Sequence, residues 1–150
     1  DGIRDVAVTG VQTCALPICR WLAEHFHIHA MMDISDGLAG DLRHILAASG
    51  VGAMLLAASI PISPDAKRHA RSPGNGSKTP LIAALTDGED FELLFTVASR
   101  DAVPLLDAWK KEFPNVALTC IGRITSEPGL KIKTERGVHE LTAHGYAHFA

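Results

Sequence analysis

Apolar and polar positions follow two periods along this chain, and each change of period marks an element. Ala30 to Met32 is apolar and runs into Asp33, the pattern of a buried strand. Beyond Gly37, the residues Leu38, Leu42, Ile45 and Leu46 recur every three or four positions and give one apolar face of a helix. That helix is expected from about Gly37 to Ser49, with Asp41 and Arg43 on its outer side, Asp41 as a surface residue or a local support for the turn, and Gly50 as its stop, glycine being common just past a helix end. Val51 to Ala57 reads as a second buried strand, and Ser59 to Pro64 as an extended connector, because each proline biases its predecessor away from helix. Asp65 to His69 reads as a short helix and residues 71–78 as a loop. Thr79 and Pro80 open a helix as N-cap and first residue, and its run to Thr86 ends near Gly88.

Period two then returns. Phe91, Leu93, Phe95 and Val97 alternate with Glu92, Leu94 and Thr96, a strand whose first set faces a core. Ser99 starts a helix carrying Val103, Leu105, Leu106 and Trp109, which ends before Pro114. Val116 to Ile121 is a strand holding Cys120, and Leu130 to Lys133 with Val138 to Leu141 form a hairpin turning at Arg136-Gly137. Strands and helices mix along one chain, so the expected architecture is a single α+β domain, a mainly antiparallel or mixed sheet with helices packed on it.

The first third is less regular. Arg20 to Glu24 reads as the end of a helix leading in from an upstream domain. Residues 1–19 show neither a basic-then-apolar leader nor a periodic helix, and Gly2 to Ile18 resembles a translated sequencing-adaptor or assembly scar, so they stay outside the fold expected here. His25, His27 and His29 alternate with Phe26 and Ile28 and in a strand would share one face. Three imidazoles can bind a transition metal, but no nearby cysteine or carboxylate pattern completes a familiar metal motif, and a solvated strand face is the plainer reading.

Composition narrows the field. With 150 residues, 47% hydrophobic and 21% charged, the chain can form one ordinary core. A net charge of −3, no basic block and 5% aromatics give no support to nucleic acid or an anionic membrane surface as partner. Cys14, Cys19 and Cys120 are an odd number without a secretion signal, which favours a reduced, cytoplasmic setting over a disulfide framework. Ile45 to Ile62 carries no charge, yet Gly50, Gly52 and Pro61 interrupt it; a helix stop followed by a strand explains the run better than a membrane span.

The chemistry gathers between the first apolar strand and its helix. In a strand, Asp33 and Ser35 point to the same side, and Asp36 at the helix start can swing back toward them. Two carboxylates and a hydroxyl then converge. Mg²⁺ is held through one or two carboxylates plus substrate phosphate oxygens, and a helix N-terminus favours the same anion. The plain alternative is that Ser35 or Asp36 simply caps the helix. Residues 71–78 are basic and contain glycine but lack the Gly-Lys-Ser/Thr ending of a phosphate-binding P-loop.

Asp33-Ile34-Ser35-Asp36-Gly37-Leu38, Asp41-Leu42, Gly88-Glu89-Asp90-Phe91-Glu92-Leu93, Gly122-Arg123-Ile124 and Gly145-Tyr146-Ala147-His148-Phe149 occur in that order. Together they resemble the C-terminal half of the thiamine-monophosphate kinases, in the superfamily of aminoimidazole ribonucleotide synthetase and selenophosphate synthetase. The resemblance implies ATP-dependent phosphorylation of thiamine monophosphate to thiamine diphosphate. It implies Asp33 and Asp36 as Mg²⁺ ligands, Ser35 on the nucleotide phosphates and Glu89 on the thiamine. Tyr146 compensates for the aromatic that the family often carries where this chain has Ala143. Asp87 replaces a second glycine of the family, and Ala147 its usual aspartate. No general base is assigned, because a phosphate monoester with a second pKa near ~6 is already largely dianionic at neutral pH.

In that family, most other acidic metal ligands and the homodimer surface lie in a preceding N-terminal domain. The expected division is therefore residues 1–19 unmatched, 20–29 a lead-in, and 30–150 the C-terminal kinase domain, one wall of an active site. Two other readings stay open: another ATP-dependent enzyme of the superfamily, or a non-catalytic metal-binding or dimerising domain using His25, His27 and His29.

Overall fold

Leu93–Ala98 is the most deeply buried strand, with Leu93, Leu94, Phe95, Thr96 and Val97 all inaccessible. Successive residues of one strand can all be buried only if both faces of its sheet are covered, and here helices lie on each side. The computed structural model describes residues 4–9, 16–64, 67, 79–87 and 92–142. Within them, the strands are β1 (Arg4–Thr9), β2 (Ile28–Asp33), β3 (Gly52–Leu56), β4 (Leu93–Ala98), β5 (Leu118–Thr125), β6 (Gly129–Thr134) and β7 (Gly137–Glu140). The helices are α1 (Leu16–His25), α2 (Leu38–Ser49), α3 (Pro80–Thr86) and α4 (Ser99–Glu112).

The sheet order is β2-β4-β1-β5-β3-β6-β7. Its ladders are antiparallel except for β3 with β6, which run parallel. This is the mixed α+β sheet that the alternating pattern predicts. On one face, Leu38, Leu42, Ile45 and Leu46 of α2 and Leu85 of α3 pack on Val6, Leu94, Leu55 and Ile132. On the other, Ile18 and Leu22 of α1 and Leu105 and Trp109 of α4 pack on Ala7, Leu93, Phe95 and Val97. Burying a side chain such as Leu42 completely contributes about 1.5–3 kcal/mol.

Local signals set most boundaries. Gly50 ends α2 in the left-handed conformation at φ 64°, and Thr79 caps α3 through a bond from the Ile82 N–H, with Pro80 in the first turn. The uncharged run Ile45–Ile62 divides into the end of α2, β3 and a 3₁₀ turn at Ala57–Ser59. Among the described residues no helix is long and apolar enough to cross a membrane. The helix expected at Asp65–His69 and the loop at 71–78 lie, apart from Lys67, outside the described residues.

Some elements differ from the pattern. Arg4–Thr9, set aside on sequence grounds, pairs with both β4 and β5 in the middle of the sheet, and Leu16–Cys19 begin α1. Of the apolar residues the sequence gives to this helix, Leu105 and Trp109, four apart, define the buried side of α4, and Val103 is 66% exposed.

Candidate functional site

The corner between β2 and α2 is built from alternating burial. Asp33 ends β2 and is exposed, Ile34 is buried, and Ser35 and Asp36 are exposed in a bend. The Ile34 N–H donates to the Glu92 carbonyl at 2.8 Å, carrying the contact with the β4 side one residue past the strand. Gly37 then turns the chain at φ 103°, where a Cβ would stand 2.9 Å from the Thr86 carbonyl carbon. Only glycine lets the start of α2 approach the end of α3 so closely. The three side chains singled out by sequence, Asp33, Ser35 and Asp36, thus leave one short corner toward solvent.

Neither Ser35 nor Asp36 caps the helix. The N-cap of α2 is Gly37, with no side-chain capping bond. The backbone N–H groups of Ser35 and Asp36 instead donate to Oδ2 of Asp41, at 2.8 and 3.0 Å. Asp41, expected on the outer side of the helix, is 1% exposed. It lies one turn into α2, and helical side chains lean toward the N-terminus, so its carboxylate reaches back under the corner. Charged acceptors make such bonds worth roughly 1.5–3 kcal/mol each. Arg43 is likewise not a free outer residue. It is half-buried and donates to the carbonyls of Ala39 and Leu141, tying α2 to the chain just beyond β7.

A cavity of about 380 Å³ opens beside the corner, lined by Ile34, Leu38, Ile60, Ile62, Asp87 and Glu92 among others. Ile34 and Leu38 bracket the turn, so corner and cavity share a wall. The volume falls in the range of small-molecule sites, about 300–1,000 Å³, and the lining mixes aliphatic side chains with the hydroxyl of Ser63 and the carboxylates of Asp87 and Glu92. Asp87 lies at the C-terminal end of α3. Glu89 and Tyr146, along with Ala143 and Ala147, lie outside the described residues.

The three histidines do not share a strand face. His25 is the last residue of α1, stacked on Trp21 at 5.0 Å with Nδ1 2.8 Å from the Trp21 carbonyl oxygen. His27 and His29 remain adjacent, ring centroids 4.7 Å apart and nearly perpendicular. Among the described residues no group of three or more histidines, cysteines or carboxylates is arranged to hold a metal. Cys19 and Cys120 are unpaired, and burial pushes both thiols above their ordinary value, which keeps them protonated at neutral pH.

Two exposed carboxylates and a hydroxyl are hard oxygen donors of the kind Mg²⁺ takes when phosphate and water complete its shell. They suit a site shared with a polyanionic ligand. Of the two roles the sequence leaves to Asp41, surface residue or local support of the turn, the structure shows the second; Glu92 as a cavity residue was missed. Asp41, four residues past Gly37 and so in the first helical turn, carried a usable signal; Glu92 carried none beyond its place in an alternating strand.

Residues 8–135 match the family model described as AIR synthase related protein, C-terminal domain. The thiamine-monophosphate kinase of Rhodopirellula baltica is 39% identical over 110 residues, 73% of this chain and 32% of that protein. The crystal structure of thiamine-monophosphate kinase from Stenotrophomonas maltophilia K279a superposes with a TM-score of 0.64 at 27% identity, covering 88% of this chain and 51% of that one. AaThiL complexed with AMPPCP and TMP has the same fold, at a TM-score of 0.63 and 24% identity over 99% of this chain and 52% of that one. The chain spans about a third of the length of the curated relatives it matches. A shared fold, a match across most of the sequence and the Asp33–Leu38 corner agree: the chain belongs to the AIR synthase related protein family, as a C-terminal domain.

Proposed function

We propose that this chain is the C-terminal part of a thiamine-monophosphate kinase, supplying one wall of a site that phosphorylates thiamine monophosphate with ATP. The observation that carries the reading is the corner itself: Asp33, Ser35 and Asp36 exposed together above Asp41, beside a cavity of about 380 Å³. Asp33 and Asp36 are the residues to hold Mg²⁺, which when bound supplies charge neutralisation between two polyanions. Ser35 donates to a nucleotide phosphate. The cavity receives the thiamine, with the carboxylates of Asp87 and Glu92 at its wall and Glu89 and Tyr146 as further contacts. An acceptor that is already dianionic needs alignment more than proton removal, so the chain's contribution is positioning and charge, with no side-chain base.

In this proposal the remaining acidic ligands and the homodimer contact belong to an N-terminal domain preceding residues 20–29, and residues 30–150 form the kinase's C-terminal domain in a cytoplasmic enzyme. The reading of residues 1–19 as an unmatched stretch, a sequencing or assembly scar, has against it the family match from residue 8 and the place of β1 inside the sheet. A strand pairs through its backbone, so a Val- and Ala-containing segment can occupy the β1 position whatever its origin. The gene's upstream DNA decides this point.

The test of function joins this chain to the N-terminal portion of the Rhodopirellula relative and follows thiamine diphosphate formation. The joined protein is expected to turn over and the chain alone to give none. Turnover by the chain alone refutes the half-site reading; a joined protein that phosphorylates another superfamily acceptor in preference refutes the substrate.

A further inference from the structure

Asp41 is the one charged side chain buried among the described residues. Its place is costly, since burying a carboxylate forfeits hydration that only strong partners offset. Both partners are backbone N–H groups of exposed residues, Ser35 and Asp36, and one oxygen, Oδ2, takes both bonds. The two bonds hold a bend whose side chains are exposed, so what the buried carboxylate fixes is the placing of Ser35 and Asp36.

Two consequences follow from the geometry. Two successive peptide groups are pinned with their N–H bonds inward, while the side chains of Ser35 and Asp36 stand exposed. The same two amides are occupied, so they are not donors to a phosphate, and anion contact at the corner falls to side chains. A fixed negative charge also sits directly under the acidic corner, where it adds to the attraction for a cation.

We propose that Asp41 is a positioning residue for cation and nucleotide binding at the Asp33–Asp36 corner, acting through the two amides and through its charge. This rests on the metal–nucleotide reading of that corner. Asp41→Asn keeps an acceptor oxygen and removes the charge; Asp41→Ala removes both; Leu42→Ala destabilises the same helix from the core without touching the corner.

The measurement is amide hydrogen exchange at Ser35 and Asp36 in the ¹⁵N-labelled chain, together with an Mg²⁺ titration of corner amide shifts in the presence of ATP. Asp41→Ala is expected to speed exchange at those two amides about 100-fold beyond any change in the rest of α2, as local opening does. It is expected to weaken the Mg²⁺ response about 10–100-fold, the usual effect of losing a group that orients metal ligands. Asp41→Asn keeps most of the protection but shifts the Mg²⁺ midpoint at least about threefold through charge alone. Leu42→Ala raises exchange broadly and leaves the midpoint in place.

A wild-type midpoint in folded Asp41→Ala, or unchanged exchange at both amides, overturns the proposal. Should Asp41→Ala fail to fold, Asp41→Asn decides, and an unmoved midpoint there overturns it. A wild-type corner that shows no shift with Mg²⁺ and ATP overturns the metal reading and the proposal with it. That outcome is distinct from the proposal failing alone, where wild type and Asp41→Ala respond equally.

Discussion

Two neighbouring stretches carry the chemistry-bearing side chains of the first third of this chain, and the fold treats them oppositely. Between Asp33 and Asp36 a strand ends, the chain bends, and a buried carboxylate in the following helix grips the bend from below. Between His25 and His29 a helix ends and a strand begins, with His25 turned back onto Trp21 and only His27 and His29 left side by side. Spacing along the sequence brings groups together only where something fixes the backbone that bears them. Asp41 does so for the acids; the imidazoles are divided between the end of α1, which holds His25, and the start of β2, which holds His29.

The largest effect separating the two stretches should be catalytic. In the protein joined to a relative's N-terminal portion, Asp36→Ala or Asp33→Ala should lower kcat/KM about 10²–10³-fold, the cost of removing one preorganised electrostatic group, while His27→Ala should leave it within twofold of the parent. Steady-state kinetics checks both. Next comes Gly37→Ala, which puts a side chain at φ 103° with Cβ 2.9 Å from the Thr86 carbonyl carbon. Urea unfolding should show a loss of at least about 1–3 kcal/mol for the backbone strain alone, and the Mg²⁺ response of the corner should weaken with it.

On the histidine side the effects shrink. His25→Ala loses the stack on Trp21 and should cost about 0.5–1.5 kcal/mol in the same unfolding measurement, with no change in the Mg²⁺ response. Smallest of all, the double change His27→Ala and His29→Ala should stay within about 0.5 kcal/mol, as exposed substitutions do. Sub-micromolar Zn²⁺ or Ni²⁺ binding that disappears in that double variant would reverse the comparison.

Much of this was legible in advance because it is local. Periodicity gave α2, β4, α4 and the β6–β7 hairpin, and the glycine after Ser49 and the Thr79-Pro80 pair gave helix ends. What escaped was nonlocal or ambiguous. Alternation from His25 to His29 looks like strand, yet the Phe26 N–H bonds the Leu22 carbonyl at 2.9 Å and the helix runs through His25. Two residues of the alternating set had already been taken by a helical turn. Arg4–Thr9 is short and flanked by irregular sequence, and its place between β4 and β5 depends on partners 86 to 118 residues away, from Val8 with Leu94 to Asp5 with Arg123. For the site, the residue types were readable at Asp33, Ser35 and Asp36. For Asp41 the sequence left two roles open, surface residue or local support of the turn, because a helical pattern assigns a charged residue to the outside unless the partner that draws it in is known; the bonds from the Ser35 and Asp36 amides select the support.

The most direct measurement is paramagnetic broadening of the chain's amide resonances by substoichiometric Mn²⁺ in the presence of ATP, Mn²⁺ being a hard-oxygen substitute for Mg²⁺. Broadening centred on Asp33–Gly37, and lost in the Asp33→Asn, Asp36→Asn double variant, is the predicted result. Broadening centred on His27 and His29, or a corner whose signals stay sharp, would contradict it.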